Sequence, residues 1–100
     1  MILYHTSTLA IPRPDTLHSR QHLDFGQGFY LTALKEQALR YGERFLRRNE
    51  PAVMNVYEFD EMLDQLQYKK PNHQVCITSQ QLIESHLHYI DSETIKGTRN

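Results

Sequence analysis

Cys76 is the only cysteine in a chain of 100 residues, so no internal disulfide can staple the fold and a hydrophobic core has to hold it. With 39% apolar residues that core is modest, and the length leaves room for one small domain and no second. An unstapled domain of this kind fits a reducing compartment, and the cytoplasm is the expected location. Eleven Lys and Arg stand against twelve Asp and Glu, a formal charge of -1. The global balance therefore asks for neither a nucleic acid nor an anionic membrane as partner. Met1 to Tyr4 shows no basic region ahead of an apolar run, and no apolar stretch approaches the length of a bilayer span.

The chain then divides by periodicity. Ile2, Tyr4 and Thr6 alternate with Leu3 and His5, which reads as an opening strand with His5 near its end. Ser7 to Gln27 carries Ile11-Pro12-Arg13-Pro14-Asp15 and Asp24-Phe25-Gly26-Gln27, both rich in breakers, and reads as one long ordered loop. Loops of that length in small domains are usually functional. Phe29 to Thr32 makes a brief strand, and Thr32 or a near neighbour caps the helix that follows, to about Arg48. Leu34, Ala38, Tyr41 and Phe45 form its apolar stripe. Val53 to Phe59 is a strand, and Asp60 caps a short helix through Met62, Leu63 and Leu66. Lys69 to Asn72 reads as a turn, Gln74 to Ile77 as a strand, Thr78 with Gln81 as a capping box for a helix over Gln80 to Ser85, and Leu87 to Ile90 as a last strand. The interleaving favours an α+β domain over residues 1–93, with a flexible tail over 94–100.

Three segments taken together change the reading: Leu3-Tyr4-His5-Thr6-Ser7, then Gly26-Gln27-Gly28-Phe29-Tyr30-Leu31-Thr32 leading to Tyr41, then Asn72-His73-Gln74-Val75-Cys76-Ile77. In this order they resemble the ADP-ribosyltransferase superfamily, in its diphtheria-toxin and poly(ADP-ribose) polymerase branch. That branch has a strand-end His, a Gly-x-Tyr on a strand with a second Tyr on the next helix, and a late strand carrying Glu. The chain is similar also to a small bacterial family of unknown function with a Leu-Tyr-His start, an Asp-Phe-Gly-x-Gly-Phe-Tyr-Leu-Thr segment and a Pro-Asn-x-Gln strand. The resemblance runs over about residues 2–60 and again over 68–90.

The resemblance implies a compact split antiparallel sheet with flanking helices and NAD as substrate. It implies a mono-ADP-ribosyltransferase, a glycosyltransferase acting on NAD, in the manner of the toxins of toxin–antitoxin modules. Breaking the nicotinamide–ribose bond passes through an oxocarbenium-like state, so the protein has to hold the ring, fix the ribose and stabilise positive charge. By the same resemblance His5, Tyr30 and Gln74 are the catalytic candidates. His5 would bond a ribose hydroxyl, the Thr6 backbone would read the nicotinamide amide, and Tyr30 and Tyr41 would stack on the ring. Ser7, Phe29, Gly26 and Gly28 would complete the NAD site, the glycines by letting the loop approach the ligand. Arg20 would bind the pyrophosphate.

Two features depart from the superfamily's pattern. Gln74 stands where Glu is frequent; an amide orients a hydroxyl but supplies neither negative charge nor a base, which argues against chain elongation. Single-unit transfer, slow NAD hydrolysis and nucleotide binding stay open. Against the small bacterial family, whose members continue through several further elements here, the run from Asp60 to Pro71 is also short, so the domain is expected to be shortened in the middle. That motivates the alternative of a catalytically inactive interaction module, with a target protein, a cognate antitoxin or a second copy as partner.

The same residues have plainer readings. His5 alone could be a satisfied strand-end histidine, Tyr41 ordinary core, Gln74 a polar residue on an exposed strand face, and Arg20 a solvated loop side chain. Arg44, Arg47 and Arg48 form a basic run diluted by Glu43 and Glu50 and read as a solvated face, so nucleic acid is not the expected partner. His86 and His88 would point the same way on a strand, but no third ligand is placed to complete a site, and no metal is expected. Cys76 lies between Val75 and Ile77 and reads as a buried structural thiol.

Overall fold

The computed structural model describes residues 1–16, 28–60, 67–69 and 74–96, with the backbone alone for 67–69. The chain runs β1 (Ile2–Ser7), β2 (Phe29–Thr32), α1 (Lys35–Arg47), β3 (Val53–Phe59), β4 (Gln67–Lys69), β5 (Gln74–Ile77), α2 (Gln80–His86) and β6 (Leu87–Thr94). The strands form one sheet in the order β4-β5-β2-β1-β3-β6, and every neighbouring pair is antiparallel. The class is the expected α+β.

Strand β1 is central, yet its two edges are used very differently. Against β3 it is in register along its whole length, from Ile2↔Glu58 to Ser7↔Val53. Against β2 the ladder holds one pair, Tyr4↔Thr32. Beyond it the sheet opens on the side of His5 to Ser7. Strand β2 in turn is fully paired with β5, from Phe29↔Ile77 to Thr32↔Gln74.

Directly opposed residues of an antiparallel ladder share a face, so the registers sort the side chains. One face carries Leu3, Phe29, Leu31, Tyr57, Phe59, Val75 and Ile77, all buried, and is closed by Ile83 of α2 and Leu87. The other carries Tyr4, Thr6, Tyr30, Met54, Gln74 and Cys76, and α1 lies across part of it. Thr6 is buried there and its hydroxyl donates to Ala38 O at 2.8 Å, tying helix to strand.

The expected stripe of α1 splits in two: Ala38 and Phe45 are buried, while Leu34 is 38% exposed. Thr32 assists the helix start without being its cap. Its hydroxyl accepts from Leu34 N and donates to Gln37 Oε1, and the N-cap position, Leu34, has no side-chain bond. The C-terminus is closed by Asn49 at φ 65°, with Asn49 N donating to Leu46 O and Glu50 N to Phe45 O. This crossed pair satisfies carbonyls that the last turn would orphan, and asparagine tolerates the left-handed conformation it needs.

Several expectations need correction. Lys69 belongs to a short strand, β4, and not to a turn; Lys70, Pro71 and Asn72 lie outside the described residues, as does the helix expected through Met62, Leu63 and Leu66. The cap of α2 is Ser79, whose hydroxyl accepts from Leu82 N, one residue past Thr78. The last strand does not stop at Ile90 and Thr94 does not open a tail. Strand β6 pairs with β3 as far as Thr94, and Ile95 N donates to Ala52 O. The Ile95 side chain sits beside Gly42, where a Cβ would lie 2.7 Å from its tip. A bulge lies between the pairs Tyr57↔Tyr89 and Val56↔Asp91, which leaves Ile90 as the extra residue.

Candidate functional site

The opening between β1 and β2 leads into a cavity of about 960 Å³, within the range of about 300–1,000 Å³ that small-molecule sites occupy. Its wall combines four parts of the chain: Tyr4 to Ser7 of β1, the Leu9–Asp15 segment, Gly28 to Thr32, and the side of α1 that presents Gln37, Tyr41 and Arg44. Gln74 of β5 closes it. Every expected site residue that is described lines this cavity: His5, Thr6, Ser7, Gly28, Phe29, Tyr30, Tyr41 and Gln74. Arg20 and Gly26 lie outside the described residues.

His5 and Tyr30 reach the cavity from opposite faces of the sheet. By the β1–β2 register it is Thr6, not His5, that shares a face with Tyr30. The His5 ring stacks on Phe29, with centroids 4.3 Å apart and planes inclined by 25°. Its Nδ1 lies 2.6 Å from Tyr30 O. A carbonyl only accepts, so Nδ1 carries a proton and donates this bond. The imidazole thus spans the gap where the main-chain ladder has stopped.

Tyr30 stands opposite Cys76 in the β2–β5 ladder. Burial pushes the Cys76 thiol up from its ordinary value, and the neighbouring Tyr30 side chain offsets only part of that. A buried, protonated thiol is a poor nucleophile, which fits a structural role. Gly28 is fixed by Cys76 as well: a Cβ there would meet Cys76 Sγ at 2.6 Å and Ile77 O at 3.1 Å. The bare glycine lets the chain entering β2 lie against β5.

Tyr41 is half-buried, with its ring edge-on to Phe45 at 5.6 Å and the Arg44 guanidinium 4.9 Å from its centroid. Gln37, Tyr41 and Arg44 are spaced i, i+4, i+7 and so share one side of α1. That spacing was available in the sequence and shows why Arg44 borders the cavity instead of standing on a purely solvated face. Arg13, from the Pro12-Arg13-Pro14 run, borders it as well. Two cations and a half-buried aromatic therefore stand on the same wall as an imidazole and an amide.

Sequence reasoning also passed over Asn55, which does not line the cavity. It is fully buried on β3, and its amide bonds residues that do line it. Nothing in Val53-Met54-Asn55-Val56-Tyr57 announces this, because the partners lie far away along the chain.

The two histidines set aside as metal ligands hold a carboxylate instead. His86 Nδ1 and His88 Nε2 lie 2.7 and 2.8 Å from the two oxygens of Asp60. These bonds, His88 first, keep the Asp60 carboxyl below its ordinary pKa. Among the described residues no group of three or more His, Cys, Asp or Glu is placed to hold a metal ion, and no helix is long and apolar enough to cross a membrane.

Neither a curated protein nor a solved structure matches the chain. The model of a family described as "Protein of unknown function (DUF3990)" matches residues 1–63, a span that contains every residue named in the cavity wall except Gln74, and the chain belongs to that family.

Proposed function

We propose that the cavity binds NAD and that the protein is a mono-ADP-ribosyltransferase of the kind found as toxins in toxin–antitoxin modules. The observation that carries this reading is the convergence of His5, Thr6, Tyr30, Tyr41 and Gln74, from separate segments, on one cavity of about 960 Å³. These are the residues for which the ADP-ribosyltransferase resemblance implies contact with nicotinamide and its ribose.

In the reaction the bond between ribose C1′ and the nicotinamide nitrogen breaks, and its electron pair leaves with the neutral base. The acceptor's nucleophilic atom then bonds C1′ and gives up its proton. The protein needs no covalent step of its own; it has to orient the ring and ribose and accommodate a developing cation. With Nδ1 donating to Tyr30 O, Nε2 is the His5 ring nitrogen that would meet a ribose hydroxyl. Tyr41 offers a half-buried ring against which nicotinamide can stack. Gln74 can orient a hydroxyl by hydrogen bonding but cannot deprotonate a nucleophile, so transfer is expected to be slow and limited to one unit.

That same amide favours the second reading, a nucleotide-binding or partner-binding module without turnover, with a protein target or antitoxin as partner. The two readings separate in one experiment. Thermal unfolding with millimolar NAD should raise the wild-type melting temperature, since a ligand at a hundred times its dissociation constant adds about 2.7 kcal/mol. His5→Ala and Tyr30→Ala should lose that shift. A shift without nicotinamide release over hours selects the module; no shift in the wild type rejects NAD.

A further inference from the structure

The rim of the cavity at Leu9 to Ile11 is irregular chain, and among the described residues no main-chain to main-chain bond holds it. Main-chain polar groups need partners, and here side chains of β3 provide them. Asn55 Oδ1 accepts from Ile11 N at 2.8 Å, and Asn55 Nδ2 donates to Leu9 O and to His5 O, both at 3.2 Å. Tyr57 donates to Ile11 O at 2.7 Å. The remaining capacity of the Asn55 amide is filled by Ser92, whose hydroxyl donates to Oδ1 at 2.7 Å and in turn accepts from Tyr89 at 2.6 Å. The bulge at Ile90 makes this possible, since it brings Ser92 onto the same face as Tyr89, opposite Asn55.

All four bonding positions of the amide are therefore used, and three of them end on residues that wall the cavity: His5, Leu9 and Ile11. An apolar side chain would fill this fully buried place on β3 equally well if packing were the only requirement. We propose that Asn55 is a positioning residue for the cavity. It fixes the Leu9–Ile11 rim to the rigid β1–β3 ladder and so sets ligand affinity without touching the ligand. Tyr57 and Ser92 complete the clip. The inference rests on the NAD reading for its ligand, but not for its geometry.

Full-length wild type, Asn55→Asp, Tyr57→Phe, Ser92→Ala and Ser92→Thr test it. The aspartate keeps the shape of the amide and turns acceptors toward the carbonyls of His5 and Leu9; the other variants keep the fold testable should it not fold. NAD affinity is measured by calorimetry well below the melting temperature, beside hydrogen exchange of the Ile11 amide without ligand.

Asn55→Asp should weaken NAD binding by about tenfold or more, because both donor bonds that hold His5 O and Leu9 O are lost. Tyr57→Phe and Ser92→Ala should weaken it less, and Ser92→Thr should restore it. Lowered melting temperatures with unchanged NAD affinity in the folded variants would overturn the proposal, because a purely structural amide behaves that way. If wild type does not bind NAD, the NAD reading fails and the exchange experiment decides alone. Ile11 should then exchange about tenfold faster in Ser92→Ala than in wild type, and at the wild-type rate in Ser92→Thr. Equal protection in Ser92→Ala and wild type would overturn the clip itself.

Discussion

The two edges of β1 carry the same six residues into opposite fates. Toward β3 each residue from Ile2 to Ser7 has a partner in register, and Tyr57 and Phe59 are fully buried alongside. Toward β2 the ladder holds the single pair Tyr4↔Thr32, and a histidine ring takes over at the next residue. The closed edge supplies the rigidity and the open edge supplies the space. One strand can therefore carry cavity residues accurately because its other side is fully committed.

The contrast is broken most forcefully on the closed side. Phe59 of β3 is fully buried, and Phe59→Ala should cost about 3–5 kcal/mol of unfolding free energy in a denaturant titration. Tyr41→Ala, at a half-exposed position on the open side, should cost much less stability while removing NAD protection. Comparable stability losses in both would mean that the two sides are not mechanically distinct.

A smaller effect is expected where β2 meets β5. Gly28→Ala would drive a methyl into Cys76 Sγ and should destabilise by about 1–3 kcal/mol. Adding Cys76→Ala should recover part of that loss, so a double-mutant cycle would show favourable coupling; strict additivity would place the strain elsewhere. Smaller again is the cap of α2. Ser79→Ala should cost about 1 kcal/mol, and Thr78→Ala should cost clearly less, which separates the observed cap from the expected one.

The weakest effect is electrostatic. The Asp60 carboxyl is held below its ordinary value by the bonds from His88 and His86. A depressed carboxylate contributes stability above its unfolded pKa of 3.8 and loses it as pH falls through the lower folded value. Melting temperature should therefore fall more gently with acid in Asp60→Asn than in wild type over that window. Parallel curves would show that the two imidazoles contribute nothing through this residue.

Much of this molecule was legible in the chain because much of it is periodic. Alternation at Ile2–Thr6 and Val53–Phe59, and helical spacing from Leu34 to Phe45, located β1, β3 and α1 to within a residue or two. Strand β4 was missed because three residues beside Lys70 and Pro71 show no alternation to read, and their pairing to β5 is what makes them a strand. The length of β6 was missed for a related reason. His88, Asp91 and Glu93 are exposed and polar, and only the ladder to β3 keeps the segment extended to Thr94.

The candidate site divides in the same way. His5, Tyr30, Tyr41 and Gln74 could be named from motifs, and Arg44 could have been added from its spacing to Tyr41. Asn55 could not: its contacts to His5, Leu9 and Ile11 arise from β1–β3 pairing and a folded-back loop. Nor could sequence show that His5 and Tyr30 approach from opposite faces, because that follows from the single registered pair between β1 and β2.

The most direct test of the cavity at the open edge is an NMR titration of the full-length, isotope-labelled protein with NAD. Saturable amide shifts should concentrate at Thr6, Leu9 to Ile11, Gly28 to Tyr30, Tyr41 and Gln74, while Phe59, Leu87 and His88 on the closed side stay in place. No saturable shifts, or shifts confined to the closed side, would contradict the assignment of this cavity to NAD.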